Sequence, residues 1–153
     1  MTLNRYCVVL VGITVGLLAL SPVTTAQRVT GRILTGAQVF EEEGCMILRV
    51  QFSIPMRYTS HFPEEAGDQI RIRVTPFALS NDDQAAVSSR EAVRPPYDVE
   101  IPATDISYDG TSLEGPVLLV EFRRPLTYSV GQGSDFRSIL IGVPGPERLS
   151  PCI

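Results

Sequence analysis

The chain has 153 residues and a formal net charge of −4. All thirteen basic residues are arginines, and the acidic balance excludes a general nucleic-acid binder, which needs a basic surface. The length and the 44% hydrophobic content suit one domain with a modest core.

The first element is a leader. Arg5 gives a positive start, "CVVLVGITVGLLAL" (7–20) is an uncharged apolar run, and "SPVTTA" supplies small residues, with Thr24 and Ala26 at the critical positions. This is the layout of a secretory signal peptide. Residues 1–26 are therefore predicted to be removed, leaving 27–153 as a single domain. An uncleaved anchor is the second reading, but the run falls short of the roughly 20 apolar residues that a span needs. No stable membrane span is expected after cleavage. Cys7 opens the apolar run rather than following it, so it does not sit where a lipoprotein cysteine would. Cys45 and Cys152 remain, and an even pair in a secreted chain predicts a disulfide, two independent thiols being the other reading.

Residues 27–43 read as weak strands or an irregular lead-in, ending in a solvated "EEE" turn. "CMILRVQF" (45–52) alternates, with Met46, Leu48, Val50 and Phe52 on one face, and Pro55 is expected to break it. "MRYTSHF" resumes extended structure, and "PEEAGD" turns. "QIRIRVTPF" (69–77) alternates again, with Ile70, Ile72 and Val74 inward and Arg71, Arg73 and Thr75 outward. Residues 78–98 read equally as a short helix from about Asp82, capped by Ser80 or Asn81, and as a loop joining two halves. "VEIPATDISY" holds one or two short strands and "DGTSLEG" turns. "PVLLVEF" (116–122) is a third strong strand, which Pro125 is expected to break. "FRSILIGV" (136–143) is a fourth, with Ile139, Ile141 and Val143 on one face, and "PGPERLSPCI" is an extended tail.

The phrase "FSIPMRYTS" (52–60) returns as "FRRPLTYSV" (122–130). Leu48, Val50, Phe52, Pro55 and Tyr58 align with Leu118, Val120, Phe122, Pro125 and Tyr128, and "IRIRV" aligns with "ILIGV" one residue out of step. Two copies of strand, break, strand, turn and strand are too few for a solenoid. They predict an all-β, two-sheet sandwich with an internal pseudo-twofold repeat, the halves lying at about 44–77 and 115–146.

The second half, "VLLVEFRRPLTYSVGQGSDFRSILIGVPG", resembles the AMIN domain family, named for the non-catalytic N-terminal module of bacterial cell-wall amidases. The resemblance covers roughly 44–77 and 115–146 and rests on an alternating strand, a Pro-aromatic segment, and Phe136-Arg137 leading a strand that ends in "PG". It implies a symmetric sandwich, a place in the bacterial periplasm, and binding of peptidoglycan or other envelope components.

Chemistry is sparse. Hydrolysis needs a nucleophile, a base and an orienter. The only histidine, His61, adjoins Ser60, but neighbours on a strand point to opposite faces, and no GxSxG elbow is present. Two thiols and one histidine are too few for structural zinc, neither "SNDD" nor "DISYDG" has EF-hand spacing, and "GQGS" lacks the lysine and helix of a phosphate loop. The reading is a non-enzyme with no cofactor and no metal. Candidate binding residues are Arg57, Tyr58, Arg71, Arg73, Arg123, Arg124, Tyr128 and Arg137. Arginine forks recognise carboxylates, as on peptidoglycan stem peptides, and tyrosine faces pack on sugars or in protein interfaces. The bland reading of the same residues is a solubilised sheet face and two core plugs. The expected function is an envelope-binding module for peptidoglycan. The alternative is an envelope assembly factor that takes a protein partner on an exposed sheet edge.

Overall fold

The computed structural model describes residues 31–148 and 150–153; the leader read at 1–26, Cys7 included, lies outside them. Nine strands and one short helix follow in chain order: β1 Leu34–Glu42, β2 Cys45–Phe52, β3 Met56–Phe62, β4 Ala66–Pro76, α1 Asp83–Val87, β5 Arg90–Val93, β6 Ala103–Asp109, β7 Val117–Thr127, β8 Ser129–Gln132 and β9 Ser138–Pro144. They form two antiparallel sheets, ordered β1-β2-β9-β8 and β3-β4-β7-β6-β5.

That order shows the repeat as architecture. The first half gives the hairpin β1-β2 to one sheet and β3-β4 to the other. The second half does the same with the sheets exchanged, through β6-β7 and β8-β9. The centre of each sheet is a cross-half pair: β2 against β9, with Leu48 opposite Ile141, and β4 against β7, with Ile70 opposite Val120. The alternating residues meet between the sheets. Leu48, Val50, Ile70, Ile72, Leu118, Val120, Ile139 and Ile141 are all fully buried. Each such side chain contributes about 1.5–3 kcal/mol relative to leaving it in water. The two repeat phenylalanines both point inward, and each meets a tyrosine at 6.5 Å, Phe52 with Tyr108 and Phe122 with Tyr128.

Three expectations need correcting. First, of the two readings of the lead-in the strand holds, as one nine-residue element, β1, and the expected "EEE" turn shrinks to the two-residue turn Glu43-Gly44, both residues at positive φ, that closes it onto β2. A bulge between Leu34 and Gly36 shifts the alternation and hides the strand from a simple period-two reading. Glu41 and Glu42 accordingly belong to the strand, and only Glu43 turns. Second, Pro125 does not end the third strong strand, because β7 continues to Thr127. On the β4 side the ladder passes from Gln69–Glu121 to Gly67–Leu126, so residues 122–125 stand opposite Asp68 alone, while on the β6 side pairing ends at Phe122–Ala103, leaving Pro125 with no ladder partner on either side. Third, the short helix forms with Asp82 at its N-cap and no side-chain cap, not with Ser80 or Asn81. The Ser80 backbone N–H and hydroxyl instead donate to the Asp83 carboxylate at 2.9 and 2.7 Å.

Cys45 and Cys152 are joined by a disulfide. It holds the tail against the outer face of the first sheet, where Ser129 Oγ accepts from the backbone N–H groups of Cys152 and Ile153, both at 3.1 Å. Gly142 and Gly131 make room. A Cβ at Gly142 would lie 2.5 Å from Cys152 Cβ, and one at Gly131 would lie 2.2 Å from Ile153 Cγ2.

Polar side chains bridge the two open sides of the sandwich. On one side Gln132 of β8 accepts the Tyr58 N–H of β3 at 2.7 Å and donates to Ser138 O at 3.1 Å. On the other, the Glu91 carboxylate of β5 accepts the Ile33 N–H at 2.8 Å and the Leu34 N–H at 3.0 Å, just before and at the start of β1.

Candidate functional site

The eight candidate side chains fall into four places. Arg71 and Arg73 project from β4 on the outer face of the second sheet, as the alternation requires. The register sets Phe62, Arg71, Leu119 and Ser107 in one row across the sheet, and Ser60, Arg73, Val117, Asp109 and Arg90 in the next. Arg73 pairs with Glu114 at 3.1 Å. Arg90 pairs with Asp109 at 3.1 Å and donates to Thr111 Oγ1 at 3.0 Å. Hydrogen bonds from the Thr111 hydroxyl and backbone N–H, with the Arg90 guanidinium adding to them, hold the Asp109 carboxyl below the usual range. Arg71 has no ion pair among the described residues. Together with Arg90, Ser107, Val117 and Leu119 it lines an open groove of about 490 Å³.

Arg57 and Arg137 lie at one end of the sandwich, beside the crossover at 53–55. The Arg57 guanidinium sits 5.4 Å from the Phe77 ring centroid, and Phe77 meets Phe136 edge-on at 6.0 Å. Arg137 donates to the Ser53 carbonyl through its side chain and to Asp135 Oδ1 through its backbone at 2.8 Å. The Ser80 hydroxyl and backbone N–H, with Arg137 assisting, lower the nearby Asp83 carboxyl. Phe136 stays 51% exposed.

Arg123 and Arg124 sit in the part of β7 that stands opposite Asp68 alone, at the opposite end. The Arg124 side chain reaches the Glu100 carbonyl at 3.5 Å, while the Arg123 backbone N–H donates to Pro102 O at 3.0 Å.

Tyr58 and Tyr128 come together, but away from the arginine rows. They flank His61, whose ring centroid lies 5.9 Å from Tyr58 and 6.1 Å from Tyr128. The His61 Nε2 lies 2.9 Å from the Glu64 carbonyl, which accepts only, so Nε2 carries the proton. In the neutral ring Nδ1 is then the acceptor, and the Tyr58 hydroxyl donates to it at 2.6 Å. Tyr128 donates to Pro63 O at 3.1 Å. Burial pushes both phenols up from their ordinary value, with the Glu64 carboxylate adding to the effect at Tyr58. Both histidine nitrogens are thus engaged, and the two repeat tyrosines pin the β3–β4 turn against β8.

A second concavity, of about 820 Å³, lies at the end of the sandwich near the disulfide, lined by Glu41, Glu43, Glu100, Glu147 and Arg148 among others. The Arg148 guanidinium is tied to the Glu43 and Pro151 carbonyls. Among the described residues no group of His, Cys, Asp and Glu side chains is placed to hold a metal ion, and no helix is long and apolar enough to cross a membrane.

Sequence reasoning did not single out Glu91, Gln132 or Arg49. Nothing in their spacing distinguishes them from solvated polar residues. Their roles come from long-range neighbours, as with the Arg49 guanidinium stacked 4.9 Å from the Phe40 ring centroid.

No protein-family model, curated protein or solved structure matches this chain.

Proposed function

We propose that this protein is an exported, non-catalytic binding module of the bacterial cell envelope, and that it holds carboxylate-bearing wall polymer, the stem peptides of peptidoglycan, on the outer face of its second sheet. One observation carries the reading: Arg71, with no ion pair among the described residues, lines an open groove with Val117 and Leu119, and the exposed Phe62 is its register neighbour on β3. A guanidinium not committed to an internal carboxylate keeps its planar fork for a ligand carboxylate, and the flanking apolar surface takes the adjoining carbon chain. The tethered pairs Arg73–Glu114 and Arg90–Asp109 flank it and keep the groove from being uniformly basic. Export is supported by the leader at 1–26 and by a disulfide, which suits an oxidising compartment.

The test is co-sedimentation with purified sacculi at low salt, beside an unrelated β-sandwich of similar charge. The expected outcome is retention above that control, reduced about tenfold or more by Arg71→Glu, since reversing one charge in a carboxylate contact exceeds about 1.4 kcal/mol. Retention equal to the control, or unchanged in Arg71→Glu with the fold intact by circular dichroism, would refute the assignment.

A further inference from the structure

We infer that β1 is a self-association edge: two copies of this chain join by antiparallel pairing of their β1 strands, in a register centred on Gln38. The sandwich has four edge strands, and three are protected. β5 and β8 have four residues each, and β3 carries a bulge, Arg57, and an N–H already taken by Gln132. β1 has nine residues, and "TGAQVF" (35–40) holds neither charge nor proline. An edge of that kind, blunted by a bulge at its start and by Glu41 and Glu42 at its end, leaves its uncharged middle as a template for another strand.

The backbone groups that face outward follow from the hairpin. Its two-residue turn makes Glu42 and Cys45 the closing pair. Alternation along the ladder then commits Phe40 and Gln38 to β2, leaving Ala37, Val39 and Glu41 with backbone N–H and C=O directed outward. Ala37 and Val39 pack on the core side, so Gln38 and Phe40 lie on the outer face. In the register centred on Gln38, Ala37 of each copy exchanges hydrogen bonds with Val39 of the other. Gln38 faces Gln38, an amide pair with both donors and acceptors. Phe40 lies over Gly36, covering the bare backbone there. Glu41 meets Thr35. Parallel pairing would instead set Glu41 against Glu41, which is destabilising. The half-buried Ala37, Val39 and Phe40 side chains gain cover on both faces. Self-complementary side chains and charge therefore select a second copy over a strand of another protein. The interface is separate from Arg71, which lies on the other sheet.

Sedimentation velocity of the exported, disulfide-bonded chain across a concentration series tests this. A reversible dimer is expected. Val39→Pro, which removes only an outward donor, abolishes it. Gln38→Lys and Gln38→Glu each weaken it at least about tenfold, a like-charge cost of about 1.4 kcal/mol, and mixing the two variants restores it. Gln38→Cys yields a dimer linked by a disulfide, because facing residues in a non-hydrogen-bonded pair sit close enough. A monomer up to about 1 mM overturns the inference and leaves the edge to other partners. So does a dimer indifferent to all four substitutions, and so does failure of the mixed charges to reassociate.

Discussion

Glu91 is the side chain whose loss is expected to cost this fold most for its size. Its side chain is only 9% exposed. Its carboxylate accepts the Ile33 N–H at 2.8 and 2.9 Å, the Leu34 N–H at 3.0 Å and the Ser89 hydroxyl at 2.7 Å. Ile33 and Leu34 are 0% and 1% exposed, so water has little access to those donors once the carboxylate is gone. Each orphaned buried donor costs about 1–3 kcal/mol, which puts Glu91→Ala at about 3–5 kcal/mol after some allowance for the hydroxyl, which can turn outward. Set against a typical total of about 5–15 kcal/mol, that is a large share. Glu91→Gln keeps one acceptor oxygen but turns an amide donor toward a donor site, so roughly half the loss is expected. The exposed Arg32, 3.9 Å from the carboxylate, contributes little. The chain has no tryptophan, so urea unfolding of the oxidised protein is best followed by far-UV circular dichroism. The midpoint should fall without a change in slope. A loss below about 1 kcal/mol for Glu91→Ala, or full stability in Glu91→Gln, would show that these hydrogen bonds do not hold the two sheets together on this side.

The disulfide and the Tyr108 phenol carry two further expected outcomes. The disulfide spans 107 residues of sequence. Replacing Cys45 and Cys152 by serine should therefore cost about 3–5 kcal/mol, near the chain-entropy value for a loop of about 100 residues, and reduced wild type should match the double variant in urea. A double variant within about 1 kcal/mol of the oxidised protein would contradict that account. Burial, with the Glu91 and Asp109 carboxylates adding, pushes the Tyr108 phenol up to about 12. The unfolded phenol loses its proton near 10 while the folded one keeps it, so stability is full below pH 10 and declines as pH rises toward about 12. Tyr108→Phe should flatten that alkaline decline in urea midpoints, at the cost of the 2.7 Å hydrogen bond to Val87 O, about 1 kcal/mol at neutral pH. An unaltered alkaline slope would place the titration elsewhere.

The four strands with long alternating stretches, β2, β4 from Gln69, β7 as far as Phe122, and β9, were legible in the sequence because each is a central strand with one face on the core. β1 was not, because its bulge moves the apolar residues Ala37 and Val39 out of phase with Leu34. Pro125 misled because local chemistry says that proline stops a ladder, whereas Pro125 has no ladder partner on either side and no donor is needed there. The outward placement of Arg71 and Arg73 needed only parity. Their difference, one tethered to Glu114 and the other not, depends on a loop forty residues away. The two repeat tyrosines read as a matched pair, and the structure makes them neighbours through His61. Nothing local signalled this, because the partners on β3, β8 and the turn meet only when the sheets close.

The exchanged halves also govern how the chain comes into being. The first half can make both of its hairpins as it emerges, but β2 and β4 each wait with one side unpaired until β9 and β7 arrive. Pairing Cys45 with Pro144 closes nearly the longest loop in the fold, and such non-local contacts slow folding and leave strand edges open to other chains meanwhile. A fragment ending after β4 should therefore be sticky rather than simply unfolded, and two such fragments hold all the strands needed to imitate the missing half. Within the intact chain those open edges are filled only by the other half, β9 on β2 and β7 on β4.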